Sequence, residues 1–309
     1  MERWACFRHM HIPVLLKETL DNLQIQKGDR VVDATLGGGG FVKKVCESHG
    51  VGVSLIALDI DEDAVLRFKD TPGISNCKII FKIANFSDIV QVLNEVGFDN
   101  VDKVFFDLGL SSFQIDRSGR GFSFQRDEPL KMTLSKDASR EGVTAEEIVN
   151  SWSESVLKTI ISSYGEERFA GRISKGIVEA RKRKPLKTTF DLVEVIERST
   201  PKGYRRRKIH PATKTFQALR MAVNDEITVL ERGLEGAFEK LSNGGRMAVI
   251  SFHSLEDRVV KRFFLKKEKE GEGFRVNKKP IRPEREEVES NRRSRSAKLR
   301  VLEKDRNFK

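Results

Sequence analysis

The sequence predicts an α/β fold in which a parallel sheet with covering helices is interrupted by an all-helical insertion. Three observations predict it. Apolar, strand-like runs alternate with helical stretches up to Gly109. From about Ser111 to Arg207 no convincing strand occurs, and the alternation then returns. The first strand runs into a glycine-rich turn and the second ends on a carboxylate, in Val31-Val-Asp-Ala-Thr-Leu-Gly-Gly-Gly-Gly40 and Leu55-Ile-Ala-Leu-Asp-Ile60. Strand–helix alternation of this kind builds a parallel sheet, whose ligands bind beyond the carboxyl ends of the strands.

The early strands are expected at residues 30–34, 54–58, 78–83 and 103–107, with helices between them such as 61–68 and 86–96. Gly37 to Gly40, Asp59, Asn85 with Phe86, and Asp107 to Gly109 all fall at strand ends, so four separate loops converge on one sheet edge. In the insertion, Thr144-Ala-Glu-Glu147 reads as a capping box. Helices are expected near 154–164, 166–183 and 189–197, the last closed by Pro201 and Gly203. Phe216, Leu219, Val223, Ile227, Leu230, Leu234, Phe238 and Leu241 recur three or four apart and predict one long amphipathic helix. Asn243-Gly-Gly245 is expected to end it. A buried strand at 246–252, a helix at 255–266 and strands at 273–276 and 297–303 complete the pattern. The domain division is therefore 1–110, 111–207 and 208–309, with the first and third segments forming one sheet.

Composition narrows the partner. The 309 residues carry 57 Lys and Arg against 46 Asp and Glu, a net charge of +11, which favours a polyanion such as nucleic acid. Three cysteines, Cys6, Cys46 and Cys77, stand far apart in no CxxC pair. They suggest neither a disulfide framework nor a zinc site, and a reducing cytoplasm fits. No apolar run approaches the roughly 20 residues that span a bilayer, and Met1 to Met10 lacks a signal-peptide core.

The glycines supply permissive backbone where the chain turns near a ligand. A dinucleotide fingerprint G-x-G-x-x-G is incomplete, because Val42 stands at its last position. That disfavours a nicotinamide oxidoreductase. Asp59 lies where a carboxylate grips ribose hydroxyls, with helix capping as the plainer alternative. Phe86 is placed to cover an adenine face or to sit in the core. Asp107-Leu-Gly-Leu-Ser-Ser112 occupies the position where amine-modifying α/β transferases put a carboxylate acceptor, here without the Pro-Pro they often carry. Phe122 and Phe124 follow it, one of them a candidate to stack on a target base. The segment from Lys202 to Gln217 combines Lys202, Arg205, Arg206, Arg207, Lys208 and Lys214 with Tyr204 and His210, reading as phosphate contact plus base stacking or as a solvated linker. Asn291-Arg-Arg-Ser-Arg-Ser-Ala-Lys298 adds a second basic run. His253, at a strand end, is either catalytic or orients its loop.

Taken together, Asp107-Leu-Gly-Leu-Ser-Ser112, Arg120-Gly-Phe-Ser-Phe124, Tyr164-Gly-Glu-Glu-Arg-Phe169, His210-Pro-Ala-Thr-Lys-Thr-Phe-Gln217 and Ile250-Ser-Phe-His-Ser-Leu-Glu-Asp-Arg258 resemble the ribosomal RNA small subunit methyltransferase H (MraW) family, from His11 onward. The resemblance implies a class I, Rossmann-like S-adenosylmethionine methyltransferase sheet with a helical insert. It also implies N4-methylation of a cytosine in the decoding region of 16S rRNA, with the small ribosomal subunit as partner, no metal and no membrane. Carried over by position, cofactor contacts fall on Gly39, Gly40, Phe41, Asp59, Phe86, Asp107 and Gln114, with Asp107 also the candidate catalytic group. The chain departs from the family at Phe41 (usually His), Phe113 (commonly Pro), Lys131 (Asp) and Thr133 (Arg). These exchanges motivate the alternative of an RNA-binding factor on a methyltransferase scaffold with weak or lost turnover.

Overall fold

The computed structural model describes residues 13–69, 74, 77–135, 142–205 and 209–305. The N-terminal stretch with Cys6 and His11, and residues 206–208 of the basic segment, lie outside the described residues. The chain forms two compact units, Met1–Leu110 with Ile227–Lys309, and Ser111–Glu226.

The first unit is built on a sheet whose strands are apolar on both sides. Successive side chains of a strand point to opposite faces, and the two faces carry separate cores. In β1 (Arg30–Asp33) Val32 joins one core and Val31 the other. In β2 (Ser54–Asp59) Ile56 and Leu58 oppose Leu55 and Ala57. α1 (Leu16–Leu23), α2 (Gly40–His49) and α3 (Glu62–Lys69) cover the second face. β3 (Lys78–Ile83), α4 (Ile89–Glu95) and β4 (Val101–Asp107) continue the alternation. After the second unit come α12 (Glu226–Lys240), β5 (Leu241–Ser251) and α13 (Ser254–Lys269), and α4, α12 and α13 cover the first face. β6 (Gly273–Arg275) and β7 (Lys298–Lys304) follow, separated by α14 (Arg285–Ser290).

The strand order is β3-β2-β1-β4-β5-β7-β6. β1 to β5 pair in parallel as expected, whereas β7 runs antiparallel between β5 and β6. Local hydrogen bonds fix that reversal. Ile281 and Leu299 exchange N–H···O bonds of 3.0 and 2.9 Å. The Asn277 side chain accepts the Val301 N–H at 2.7 Å and donates to the Leu299 carbonyl at 2.9 Å. The returning chain is thereby laid beside β7 as in a hairpin.

The second unit is helical: α5 (Ser112–Arg117), α6 (Ala145–Ser151), α7 (Glu154–Ser163), α8 (Ala170–Arg181), α9 (Thr189–Ser199), α10 (Lys202–Arg205) and α11 (Ala212–Val223). Thr144, Ser153 and Thr188 cap α6, α7 and α9 by accepting N–H groups of the first turn. Leu130, Met132, Ile148, Ile161, Ile173, Ile196 and Leu219 form its core.

Three expectations need correction. The single long helix is two, α11 and α12, because the Asn224 side chain bonds the main chain of a neighbouring segment: it donates to the Met132 carbonyl (2.8 Å) and accepts the Leu134 N–H (2.9 Å). Asp225 then takes a left-handed φ of 45°. The helical unit accordingly runs to Glu226 rather than to 207. Second, β5 begins at Leu241, so Asn243-Gly-Gly245 lies within a strand and not at a helix end; its pairing with β4 shifts register between Val101 and Lys103. Third, Cys46 of α2 and Cys77 before β3 are joined in a disulfide with their Cα atoms 5.6 Å apart. Their sequence separation of 31 concealed that proximity.

Candidate functional site

Three adjacent strands, β2, β1 and β4, each end on an aspartate: Asp59, Asp33 and Asp107. The loops that leave them are stitched together. Asp59 Oδ2 accepts the Gly37 N–H at 2.8 Å and its Oδ1 accepts the Asp61 N–H at 2.9 Å. Asp33 Oδ1 accepts the Thr35 N–H at 3.1 Å, and the Thr35 hydroxyl accepts the Asp107 N–H at 2.6 Å. A carboxylate offers about four lone-pair positions, so Asp59 both caps the turn before α3 and keeps acceptor capacity for a ligand hydroxyl.

Burial sets the electrostatics. Desolvation, followed by the Asp107 and Asp59 carboxylates, pushes Asp33 up to about 8 against the Thr35 hydrogen bond. Desolvation raises Asp59 to about 6 against its two backbone donors. Desolvation and then Glu256 raise Asp107 to about 7. Asp107 Oδ1 is buried with no hydrogen-bond partner among the described residues, an arrangement whose cost a ligand N–H would relieve.

Asp33 is the site residue that sequence reasoning passed over, although its signal is that of Asp59 and Asp107, an acid closing an apolar strand. Its folded pKa lies above the ordinary value, so the proton it holds stabilises the folded state. That contribution is fully present below about pH 4 and is lost as pH rises through about 8. Asp33→Asn keeps the acceptor for Thr35 and removes the titration. Its melting temperature is expected to fall less steeply than wild type between pH 5 and 8; parallel curves would refute the assignment.

The glycines turn out to serve packing as well as access. Gly39 is the N-cap of α2 at φ 71°, and a Cβ there would overlap the Phe68 ring; one on Gly40 would overlap Pro13. The first-turn N–H groups of Gly40, Phe41 and Val42 have no intrahelical acceptor and, with the helix dipole, suit a carboxylate. The Phe41 side chain is 3% exposed and packs on Phe105 with ring centroids 4.4 Å apart. Only its backbone is offered to a ligand. Phe86 is half-buried, edge-on to Phe106 at 5.5 Å.

His253 orients its loop. Its Nδ1 accepts the Glu256 N–H at 3.4 Å, and Glu256 Oε2 accepts the N–H groups of Phe252 and His253 at 2.8 and 3.2 Å, opening α13. Its Nε2 lies 3.0 Å from Glu256 Oε1. Glu256 is also the carboxylate that acts on Asp107.

In the helical unit, Gln114 is 6% exposed and forms a reciprocal capping box with Ser111 at the start of α5. Phe122 lies under the Arg120 guanidinium at 5.4 Å. Phe124 stacks on His210 at 4.7 Å and meets Phe216 edge-on, so both candidate stacking rings are engaged within their own unit. Phe113 is half-buried on α5 and Lys131 is exposed. Thr133 is buried, its carbonyl accepting from Arg120 at 3.0 Å while its hydroxyl has no partner among the described residues.

The comparisons with known proteins agree with one another. The chain is 44% identical to the ribosomal RNA small subunit methyltransferase H of Carboxydothermus hydrogenoformans, covering 95% of this chain and 97% of that protein. It is 43% identical to the protein of the same name from Citrifermentans bemidjiense, over 95% of this chain and 98% of that one. It is 42% identical to the one from Symbiobacterium thermophilum, over 95% and 96%. The sequence profile of the MraW methylase family matches residues 8–305. With its sheet edge of three aspartates and its helical insertion between β4 and β5, the chain belongs to the MraW methylase family.

Proposed function

We propose that the protein methylates the exocyclic N4 amine of a cytosine in the decoding region of 16S rRNA, working on the small ribosomal subunit in the cytoplasm. The observation that carries this reading is the buried Asp107 oxygen without a partner at the end of β4. A carboxylate there binds an amine hydrogen, aims the nitrogen lone pair and takes up the proton that the amine loses.

The family's methyl donor is S-adenosyl-L-methionine, and the residues present fit it. The α2 N-terminus at Gly40 and Phe41 suits the methionine carboxylate, Asp59 the ribose hydroxyls, and Phe86 the adenine face. When bound, it supplies an electrophilic methyl on a sulfonium centre. The chain supplies position and desolvation: buried strand ends exclude water, and Thr35 holds the Asp107 main chain in place. The target cytosine must be unstacked to reach Asp107. Gln114, to which the family resemblance assigns a cofactor contact, steadies α5 through its capping box.

Asp59→Ala is expected to weaken S-adenosylmethionine binding by about tenfold or more, the scale of a lost charge-assisted hydrogen bond. Calorimetry giving an unchanged Kd would sink the ribose assignment. The function itself is tested by labelled methyl transfer to small subunits lacking the modification, followed by mapping of the base. Methyl on a cytosine N4 is the expected outcome. Tight binding of cofactor and RNA with no transfer would instead establish the RNA-binding alternative suggested by Phe41, Lys131 and Thr133.

A further inference from the structure

The turn between α7 and α8 carries a charged and aromatic cluster that the methyl-transfer site does not use. Glu166 adopts a left-handed φ of 48°, which delays α8 to Ala170 and turns Glu167 inward. Glu167 is 2% exposed, yet its two carboxylate oxygens are occupied: one accepts the Phe169 N–H at 2.8 Å, the other the Tyr204 hydroxyl at 2.6 Å. That buried carboxylate fixes two rings from distant parts of the unit. Phe169 and Tyr204 meet edge-to-face with centroids 4.9 Å apart.

On these rings lies Arg168, its guanidinium carbon 4.4 Å from the Phe169 centroid and 5.6 Å from that of Tyr204. Arg172 approaches Phe169 from the next turn at 5.8 Å. Both arginines are exposed, and among the described residues neither enters an ion pair. Lys202, two residues before Tyr204, is exposed, and Lys214 caps the Glu166 carbonyl at 2.7 Å.

An exposed arginine packed over two aromatic rings gives up part of its rotamer freedom before any ligand arrives. Its outer face is a planar cation, the surface on which an unstacked nucleobase stacks, while its N–H edge reaches phosphate. We propose that Arg168, supported by Phe169 and Tyr204, is a stacking platform for a base in a single-stranded segment of the rRNA, with Arg172 and Lys202 contacting adjacent phosphates. This rests on the reading of the protein as an rRNA methyltransferase and assigns part of its RNA-binding surface. The anchor on Glu167 explains why the platform needs both segments: the Tyr164-to-Phe169 turn supplies the arginine, and the basic segment beginning at Lys202 supplies its second ring. A protein partner is disfavoured by the chain's excess of 11 positive charges, which matches a polyanion.

The test measures binding of 16S rRNA transcript by the S-adenosylhomocysteine-loaded protein over a range of salt, for wild type, Arg168→Ala and Arg168→Lys. Arg168→Ala is expected to raise Kd about tenfold, the scale of one lost base–aromatic or guanidinium stack. Its KM for RNA rises with kcat, S-adenosylmethionine affinity and melting temperature unchanged. Arg168→Lys restores the salt slope without restoring affinity, because lysine keeps the charge and loses the plane. Wild-type affinity in Arg168→Ala, or full rescue by lysine, overturns the platform. So does a loss confined to assembled subunits with transcript binding intact, which would assign the cluster to a ribosomal protein. Failure of wild type to methylate 16S rRNA in the subunit overturns the functional reading instead.

Discussion

Asp107→Asn will lower kcat by about 10²–10⁴-fold, the usual contribution of a positioned general base, with S-adenosylmethionine affinity reduced far less. Asparagine fills the same space at the end of β4 and leaves the Thr35 bond to the main chain intact. It cannot take a proton, and its amide can present a donor toward the amine where the carboxylate presents only acceptors. The pH profile supplies the sharper criterion. Burial and Glu256 raise Asp107 to about 7, and only the ionised form accepts, so the wild-type rate should climb with pH through about 7 and level off above it. In Asp107→Asn that limb disappears. A variant that keeps both its rate and its pH limb would remove Asp107 from the chemistry.

Gly39→Ala will destabilise the protein by about 2–4 kcal/mol, combining overpacking with strain at positive φ. Gly39 sits at φ 71°, and its missing Cβ is the space that Phe68 of α3 fills. The ring must move from a position only 4% exposed, or the start of α2 must shift. Thermal melting is the direct measurement. The double variant Gly39→Ala with Phe68→Leu separates the two causes: part of the loss returns if the clash dominates, and none if the backbone does. A shifted α2 start also misplaces the Gly40 and Phe41 N–H groups, so calorimetry should show weaker S-adenosylmethionine binding in the single variant. Unchanged melting would place the Phe68 ring elsewhere.

Most of the sheet is legible in the sequence because its central strands are apolar on both faces, as at residues 55–58, where all four side chains are buried. The break at Asn224 is illegible for a physical reason: the three-and-four spacing of apolar residues survives it, and the cause is a side chain bonding to Met132 and Leu134 about ninety positions away. The antiparallel β7 is hidden in the same way, since Asn277 and Ile281 act through bonds to residues some twenty positions on. Within the site, Asp59 and Asp107 are readable as carboxylates that close strands; Asp33 carries the same signal, but the apolar Ala34 after it extends the expected strand to residue 34 and hides that end. The role of Gly39 and Gly40 is half-readable. Glycine announces close approach, but only the structure identifies Phe68 and Pro13 as what approaches.

The helical unit separates two strands that lie side by side: β4 ends at Asp107 and β5 starts at Leu241, while β7, the last strand, inserts between β5 and β6. The sheet therefore has high contact order at its centre, whereas α6 to α9 close mostly short loops. During synthesis the half-sheet of β1 to β4 must wait, one edge unpaired, while the helical unit emerges and folds on local contacts. The open β4 edge is closed by β5, which is made only after that unit, and β7, the last strand made, then pairs between β5 and β6. Late closure of the sheet makes the nascent half-sheet the stage at which this protein is most open to aggregation.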